Sequence, residues 1–315
     1  MKKIRLKKKI KRKLIILIML ILISILTIKF YNNYTYKKTY EYKFLSINYT
    51  LNEFKIIDKK LNDNELNIIL EKEYNKNIPK LINEKYFLFK NLDRYLNYLK
   101  ENENKSITDI VALVNVNRDR NYYKEMTNVD TSQKESMLVN KYHSLSKDYI
   151  AENIVNTSSS YSYANNSLNE EAYNAFIALA NDAKKEGHTI LILSSYRTYE
   201  SQDNLWNQRK KAYGTRKADE FAARAGSSEH QTGYAIDVAD YYDENDKFGD
   251  TESFKWMINN SYKYGFILRY PKGKEEITGY SYEPWHYRYL GVELATKVYN
   301  EQITYDEYYE FYLNK

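Results

Sequence analysis

Nine cationic side chains crowd the first thirteen residues (Lys2, Lys3, Arg5, Lys7, Lys8, Lys9, Lys11, Arg12 and Lys13), with no acid among them. Leu14 to Ile28 follows, apolar except for Ser24 and Thr27. A buried core helix fits poorly with so dense a block of flanking charge, whereas a membrane span fits well. The bilayer core asks for about 20 residues, and Phe30, Tyr31 and the snorkelling stems of Lys13 and Lys29 extend the run's reach. The residues that follow, Lys29, Phe30, Tyr31, Asn32 and Asn33, offer no small-residue cleavage site. Residues 1–30 are therefore expected to form an uncleaved signal-anchor. It would be single-pass, with its basic end cytoplasmic and the rest of the chain outside the cell membrane.

This placement changes the meaning of the charge. The whole chain carries a formal +6, so removing the nine leading cations leaves −3 for everything else. A nucleic-acid partner needs a basic patch on the folded part. That excess is missing, and no nucleic acid is expected. The absence of cysteine removes a disulfide framework, thiolate metal ligands and a cysteine nucleophile.

Residues 31–105 are rich in Lys, Asn and Glu, with apolar residues at helical spacing such as Leu66, Ile69 and Leu70, then Leu92, Tyr95, Leu96 and Leu99. They predict a helical stalk or spacer module without chemistry of its own. Residues 106–315 read as the catalytic domain. Asp109–Val116 is a strand candidate, and Met137–Asn140 starts a second short extended piece. Ser167-Leu168-Asn169-Glu170 resembles a capping box opening a helix that Gly187 stops. A buried strand over Thr189–Ser194, helices over Tyr199–Ala212 and Ala218–Arg224, and an alternating strand over Tyr234–Ala239 come next. Thr251–Tyr264 predicts a helix, Phe266–Arg269 a strand, and Tyr280–Tyr289 an extended segment before the terminal helices. Strands and helices mix without a regular repeat, which points to α+β with a central antiparallel sheet flanked by helices.

The chemistry concentrates in two short stretches. Ser228-Glu229-His230-Gln231-Thr232-Gly233-Tyr234-Ala235-Ile236-Asp237 supplies one imidazole and a carboxylate, and Glu283-Pro284-Trp285-His286 supplies another of each. Two of the chain's four histidines lie there. Three protein ligands plus a spare Glu are the inventory of a zinc hydrolase. Asp237 falls within an apolar strand, where an unpaired carboxylate is costly; a metal offsets that cost, and so does an ordinary salt bridge. On a regular strand Glu283 and His286 would face opposite sides, but Pro284 argues for a kink that lets both reach one site. His143 and His188 have no comparable setting and read as structural.

The pattern Ser228-x-His230-x-x-Gly233-x-Ala235-x-Asp237, followed by Glu283-x-Trp285-His286-x-Arg288-Tyr289, resembles the VanY-type D-alanyl-D-alanine carboxypeptidases of the LAS superfamily of zinc peptidoglycan peptidases. The likeness extends to Ser195-Tyr196-Arg197-Thr198-Tyr199-Glu200-Ser201-Gln202, to Val139–His143 and to Tyr264–Lys274, so it covers about residues 135 to 300. It implies a LAS-type domain in which His230, Asp237 and His286 bind one Zn2+ per chain. Glu283 is then the general base and Arg197 the catalytic partner of the oxyanion, with Gln202 and Ser228 helping to bind substrate. Apart from the family, Arg197 could equally meet a terminal carboxylate or tie a helix start to the sheet by a salt bridge.

The expected function is that of a membrane-anchored zinc carboxypeptidase removing terminal D-Ala from peptidoglycan stem peptides. An L,D-carboxypeptidase or endopeptidase on the same scaffold stays open, because pocket walls such as the loop 240–252 decide between them. So does a non-catalytic zinc-bearing module that binds the cell wall.

Overall fold

Four antiparallel strands carry the site, and their alternation sorts side chains onto two faces. The computed structural model describes residues 2–163, 165–240 and 245–314; residues 241–244 of the expected wall loop 240–252 lie outside them. The chain divides into two compact units, Met1–Leu96 and Asn97–Lys315.

The first unit is helical. Its leading helix, Lys2–Tyr36, contains a stretch Lys11–Tyr36 that is long and apolar enough to cross a membrane, with a mean hydropathy of 2.7 and no part of that window buried. Short helices follow. Leu51–Lys60 and Asp63–Leu70 both start on capping boxes, Thr50 with Glu53 and Asn62 with Glu65. Pro79 sits in the first turn of the helix Ile78–Asn83, where its missing N–H is harmless.

In the second unit, β1 (Ile190–Ser194), β2 (Ala235–Asp240), β3 (Phe266–Tyr270) and β4 (Glu283–Tyr289) form one sheet in the order β1-β2-β4-β3. Every neighbouring pair is antiparallel, as the sequence predicts. Ile236 and Val238 of β2, Tyr287 and Tyr289 of β4 and Phe266 of β3 share one core with Phe176, Leu179 and Ala183 of the helix Glu170–Lys185. The opposite face carries Asp237, His286, Arg288 and Arg269. Beside it Ile267 packs on Ala295, Val298, Tyr305 and Tyr309 from the C-terminal helices.

Four local expectations change. Residues 107–115 form a helix, not a strand: Ser106 caps it by accepting from the Asp109 N–H, and Ile110, Val111, Leu113 and Val114 are all buried. The helix Glu170–Lys185 is capped by Asn169, whose side chain accepts from the N–H groups of Glu171 and Ala172, rather than by Ser167. Ser167–Asn169 is instead a short strand paired with Ile154–Asn156. The helix expected over Ala218–Arg224 begins earlier and spans Thr215–Phe221. Met137–Asn140 is irregular chain leading to the short strand His143–Ser144.

Candidate active site

The two strand-borne residues expected to bind a metal meet because their strands are neighbours in register. Asp237 on β2 pairs directly with His286 on β4, so both side chains leave the same face a few ångströms apart. The Asp237 Oδ1–His286 Nδ1 distance is 3.0 Å. His230 comes from outside the sheet, on the 3-10 turn Glu229–Thr232 that leads into β2. Gly233 closes this turn at φ +77, where a side chain would be strained and a Cβ would lie 2.6 Å from Ile154 Cδ1. The turn is anchored to the chain after β1: the Arg197 N–H donates to the His230 carbonyl at 3.1 Å. His230 Nε2 ends 3.4 Å from Asp237 Oδ2.

Glu283 reaches the same place through an irregularity. Against β3, β4 pairs Tyr287 with Leu268 but Glu283 with Tyr270, four residues of one strand matching two of the other. The surplus contains Pro284, and it turns Glu283 to the side of His286, with Oε2 3.9 Å from Nδ1. The expected kink is therefore a bulge within a continuous strand.

The donor set fits a small divalent cation. One ligand atom from each of His230, Asp237 and His286 can be chosen so that all lie within 4.8 Å of one another. Each imidazole also has its second nitrogen engaged: His230 Nδ1 lies 2.7 Å from the Ser195 carbonyl oxygen and His286 Nε2 3.3 Å from Glu229 Oε2. Both partners are acceptors, so the other nitrogen of each ring, the one facing Asp237, is the one that can offer a lone pair to a cation bound there. Nitrogen, nitrogen and carboxylate oxygen suit zinc.

The electrostatics follow from burial and neighbours. Burial opposes the charge of Asp237, but His230 and His286 outweigh it and hold the carboxyl well below the usual range. Burial lowers His286, yet its hydrogen bonds to Asp237 and Glu229 prevail and push it up to about 9. Glu283 behaves oppositely. Burial dominates and raises it to about 8, with His286 and Arg197 opposing. A carboxyl poised in this range is suited to take up and release a proton.

Arg197 lies between β1 and the helix Tyr199–Tyr213 and is mostly buried. Its Nη1 donates to Gln202 Oε1 at 2.6 Å and its Nη2 to Ser194 Oγ at 2.8 Å. Gln202 Nε2 in turn donates to the Ala223 carbonyl at 2.6 Å. Gln202 thus spends one end of its amide on Arg197 and the other on the Ala223 carbonyl, and this differs from direct substrate contact. All seven residues predicted from the sequence line one cleft of about 770 Å3, together with Ser194, Tyr270, Tyr280 and Trp285. His143 and His188 are not in its lining. Sequence reasoning missed Glu229, Arg269 and Arg288, three charged residues with fully buried side chains behind His286. Arg288 had a legible signal, since a residue two after His286 on a strand shares its face.

The VanY family model, described as D-alanyl-D-alanine carboxypeptidase, matches residues 165–292. The bifunctional D-Ala-D-Ala dipeptidase and D-Ala-D-Ala carboxypeptidase VanXYC of Enterococcus gallinarum is 39% identical over 127 residues, covering 39% of this chain and 67% of that protein. The chain belongs to the VanY D-alanyl-D-alanine carboxypeptidase family. A further relative, the putative carboxypeptidase YodJ of Bacillus subtilis (strain 168), is 39% identical over 180 residues, or 55% of this chain. The chain spans 66% of YodJ's length, just under two thirds. Among solved structures, the LdcB LD-carboxypeptidase superposes with a TM-score of 0.56 at 36% identity, covering 60% of this chain and 91% of LdcB.

Proposed function

We propose that this protein is a membrane-anchored zinc D,D-carboxypeptidase that hydrolyses the terminal D-Ala-D-Ala bond of peptidoglycan stem peptides. One observation carries the reading: His230, Asp237 and His286 converge with Glu283 and Arg197 on a single cleft in a chain of the VanY family. The helix Lys2–Tyr36 would tether the chain, residues 31–105 would act as a spacer, and 106–315 as an extracytoplasmic catalytic domain.

Zinc, one per chain, would supply Lewis-acid polarisation of the scissile carbonyl and a water acidified toward neutrality. The chain's own residues do the rest. Glu283 takes the attacking water's proton and returns it to the leaving D-Ala amine. Arg197, held by Gln202 and Ser194, directs its guanidinium at the negative charge that develops on the carbonyl oxygen. Ser228, in the cleft wall, binds substrate. Tyr270, Tyr280 and Trp285 enclose the peptide and reduce its contact with water.

Similarity to the LdcB LD-carboxypeptidase supports a second reading, an L,D-carboxypeptidase acting on the stem once the terminal D-Ala is gone. A non-catalytic binding module is less consistent with a Glu283 kept beside the triad. Incubating the zinc-loaded protein with pentapeptide, tetrapeptide and D-Ala-D-Ala dipeptide, and measuring free D-Ala by mass spectrometry, separates the readings. Release from the pentapeptide alone is expected. Release from the tetrapeptide alone would favour the L,D reading, and binding without any release would favour the module.

A further inference from the structure

One edge of the His286 ring faces the cleft; the other rests on a buried charge network. Glu229 Oε2 lies 3.3 Å from His286 Nε2. Its Oε1 accepts from Arg269 Nε at 2.8 Å and stands 3.1 Å from Arg288 Nη1. Arg269 donates from both terminal nitrogens to the carboxylate of Asp306, on the short helix Tyr305–Tyr308. Asn140 Nδ2 donates to the same carboxylate at 2.8 Å. The four charged side chains are at most 2% exposed. Two carboxylates and two guanidiniums balance, so the cluster can be buried without net charge.

The balance has a directional consequence. A guanidinium does not give up its proton, and two of them keep Glu229 ionised. An ionised carboxylate only accepts hydrogen bonds. It therefore accepts from N–H at His286 Nε2, which leaves Nδ1, the atom 3.0 Å from Asp237, as the nitrogen that can give up its proton and turn a lone pair to a bound cation. We propose that Glu229 is a positioning residue that holds the His286 ring by Nε2, with Nδ1 turned toward the metal position. Asp306 extends that hold through Arg269, which makes the C-terminal segment part of the metal centre's support. This inference rests on the reading of His230, Asp237 and His286 as zinc ligands.

The test measures zinc dissociation constants of the full chain by competition with a chromogenic chelator, alongside the visible spectrum of the cobalt-substituted protein. Glu229→Gln is nearly isosteric but removes the charge and can present an NH2 to the ring. It is expected to weaken zinc binding by about 10–100-fold, the usual range for an outer carboxylate on a ligand histidine, and to change the cobalt spectrum. Asp306→Asn is expected to weaken binding by a smaller factor, about tenfold or less. Because a buried charge is lost, melting of the metal-free proteins is recorded as well. If Glu229→Gln does not fold, Glu229→Asp keeps the charge but withdraws the oxygen from the ring, and it should fold yet bind zinc more weakly. A folded Glu229→Gln or Glu229→Asp protein with wild-type zinc affinity and cobalt spectrum overturns the positioning role. A wild-type protein that binds no zinc, or a His286→Ala protein with undiminished affinity, overturns the ligand reading itself and this inference with it.

Discussion

At the scale of single residues, the proposed reading assigns holding a metal and moving a proton to different side chains. Glu283→Gln is expected to retain one zinc by elemental analysis while kcat falls by about 10²–10⁴-fold, the usual contribution of a general base. His230→Ala removes a nitrogen ligand and should lose zinc and turnover together. Near-normal turnover in Glu283→Gln would exclude the proposed base. Glu283 also sets a pH signature. Its folded-state pKa is raised, by burial above all, to about 8, so the folded chain binds its proton more tightly than the unfolded chain does. Stability contributed by the neutral carboxyl is complete below the unfolded value and is lost as pH rises through about 8. In the metal-free protein, Glu283→Gln should therefore melt progressively higher than wild type as pH increases from about 4.5 to about 8. Calorimetry would show no such trend if the carboxyl were ordinary. In the zinc-loaded enzyme the added cation favours the ionised form. The acid limb of kcat/KM should then lie below 8 and disappear in Glu283→Gln.

Among the elements, β4 and the turn before β2 do most of the positioning. The surplus residues around Pro284 let one strand offer Glu283 and His286 to the same side, which strict alternation forbids. The turn Glu229–Thr232 delivers His230 and Glu229 together, and it depends on the positive φ of Gly233. Gly233→Ala combines a strained backbone with a clash against Ile154, so it should cost about 2 kcal/mol in chemical denaturation. Zinc affinity should fall with it, because His230 hangs from that turn. An alanine protein with unchanged stability and zinc content would mean that the turn adapts freely.

For the whole molecule, all residues assigned to the chemistry lie between 194 and 286, and the positioning network ends at Asp306. The helices before residue 97 form a unit of their own. A fragment starting at Ser106, the cap of the helix Ile107–Asn115, is expected to fold, bind one zinc and cleave soluble pentapeptide at a rate within about threefold of the full chain. Turnover of intact cell wall should drop, since the tether would concentrate the enzyme where membrane-proximal stem peptides are found. A fragment that is folded and zinc-loaded yet inactive on the soluble peptide would give residues 31–105 a part in the substrate site.

What the sequence determined by itself was local. A block of cations before an apolar run specifies a helix that can cross a membrane; short apolar runs specify the strands at Ile190–Ser194 and Phe266–Tyr270, and alternation specifies the one at Ala235–Asp240. Motif spacing was enough to single out His230, Asp237, Glu283 and His286, because chemistry demands those side chains whatever surrounds them. The run Asp109–Val116 looks like a strand but is helical through Asn115, since a short, nearly continuous apolar run carries no periodicity that tells helix from strand. The cap at Asn169 was hidden because Ser167 was already committed to a strand pairing. Only the tertiary structure decided the register that sets Asp237 opposite His286, the bulge that turns Glu283 inward, and the choice of Gln202 as a prop for Arg197. The same holds for the Glu229–Arg269–Asp306 network. Its members lie 40 and 37 residues apart along the chain, and a charge buried so deeply is tolerable only when folding supplies its partner.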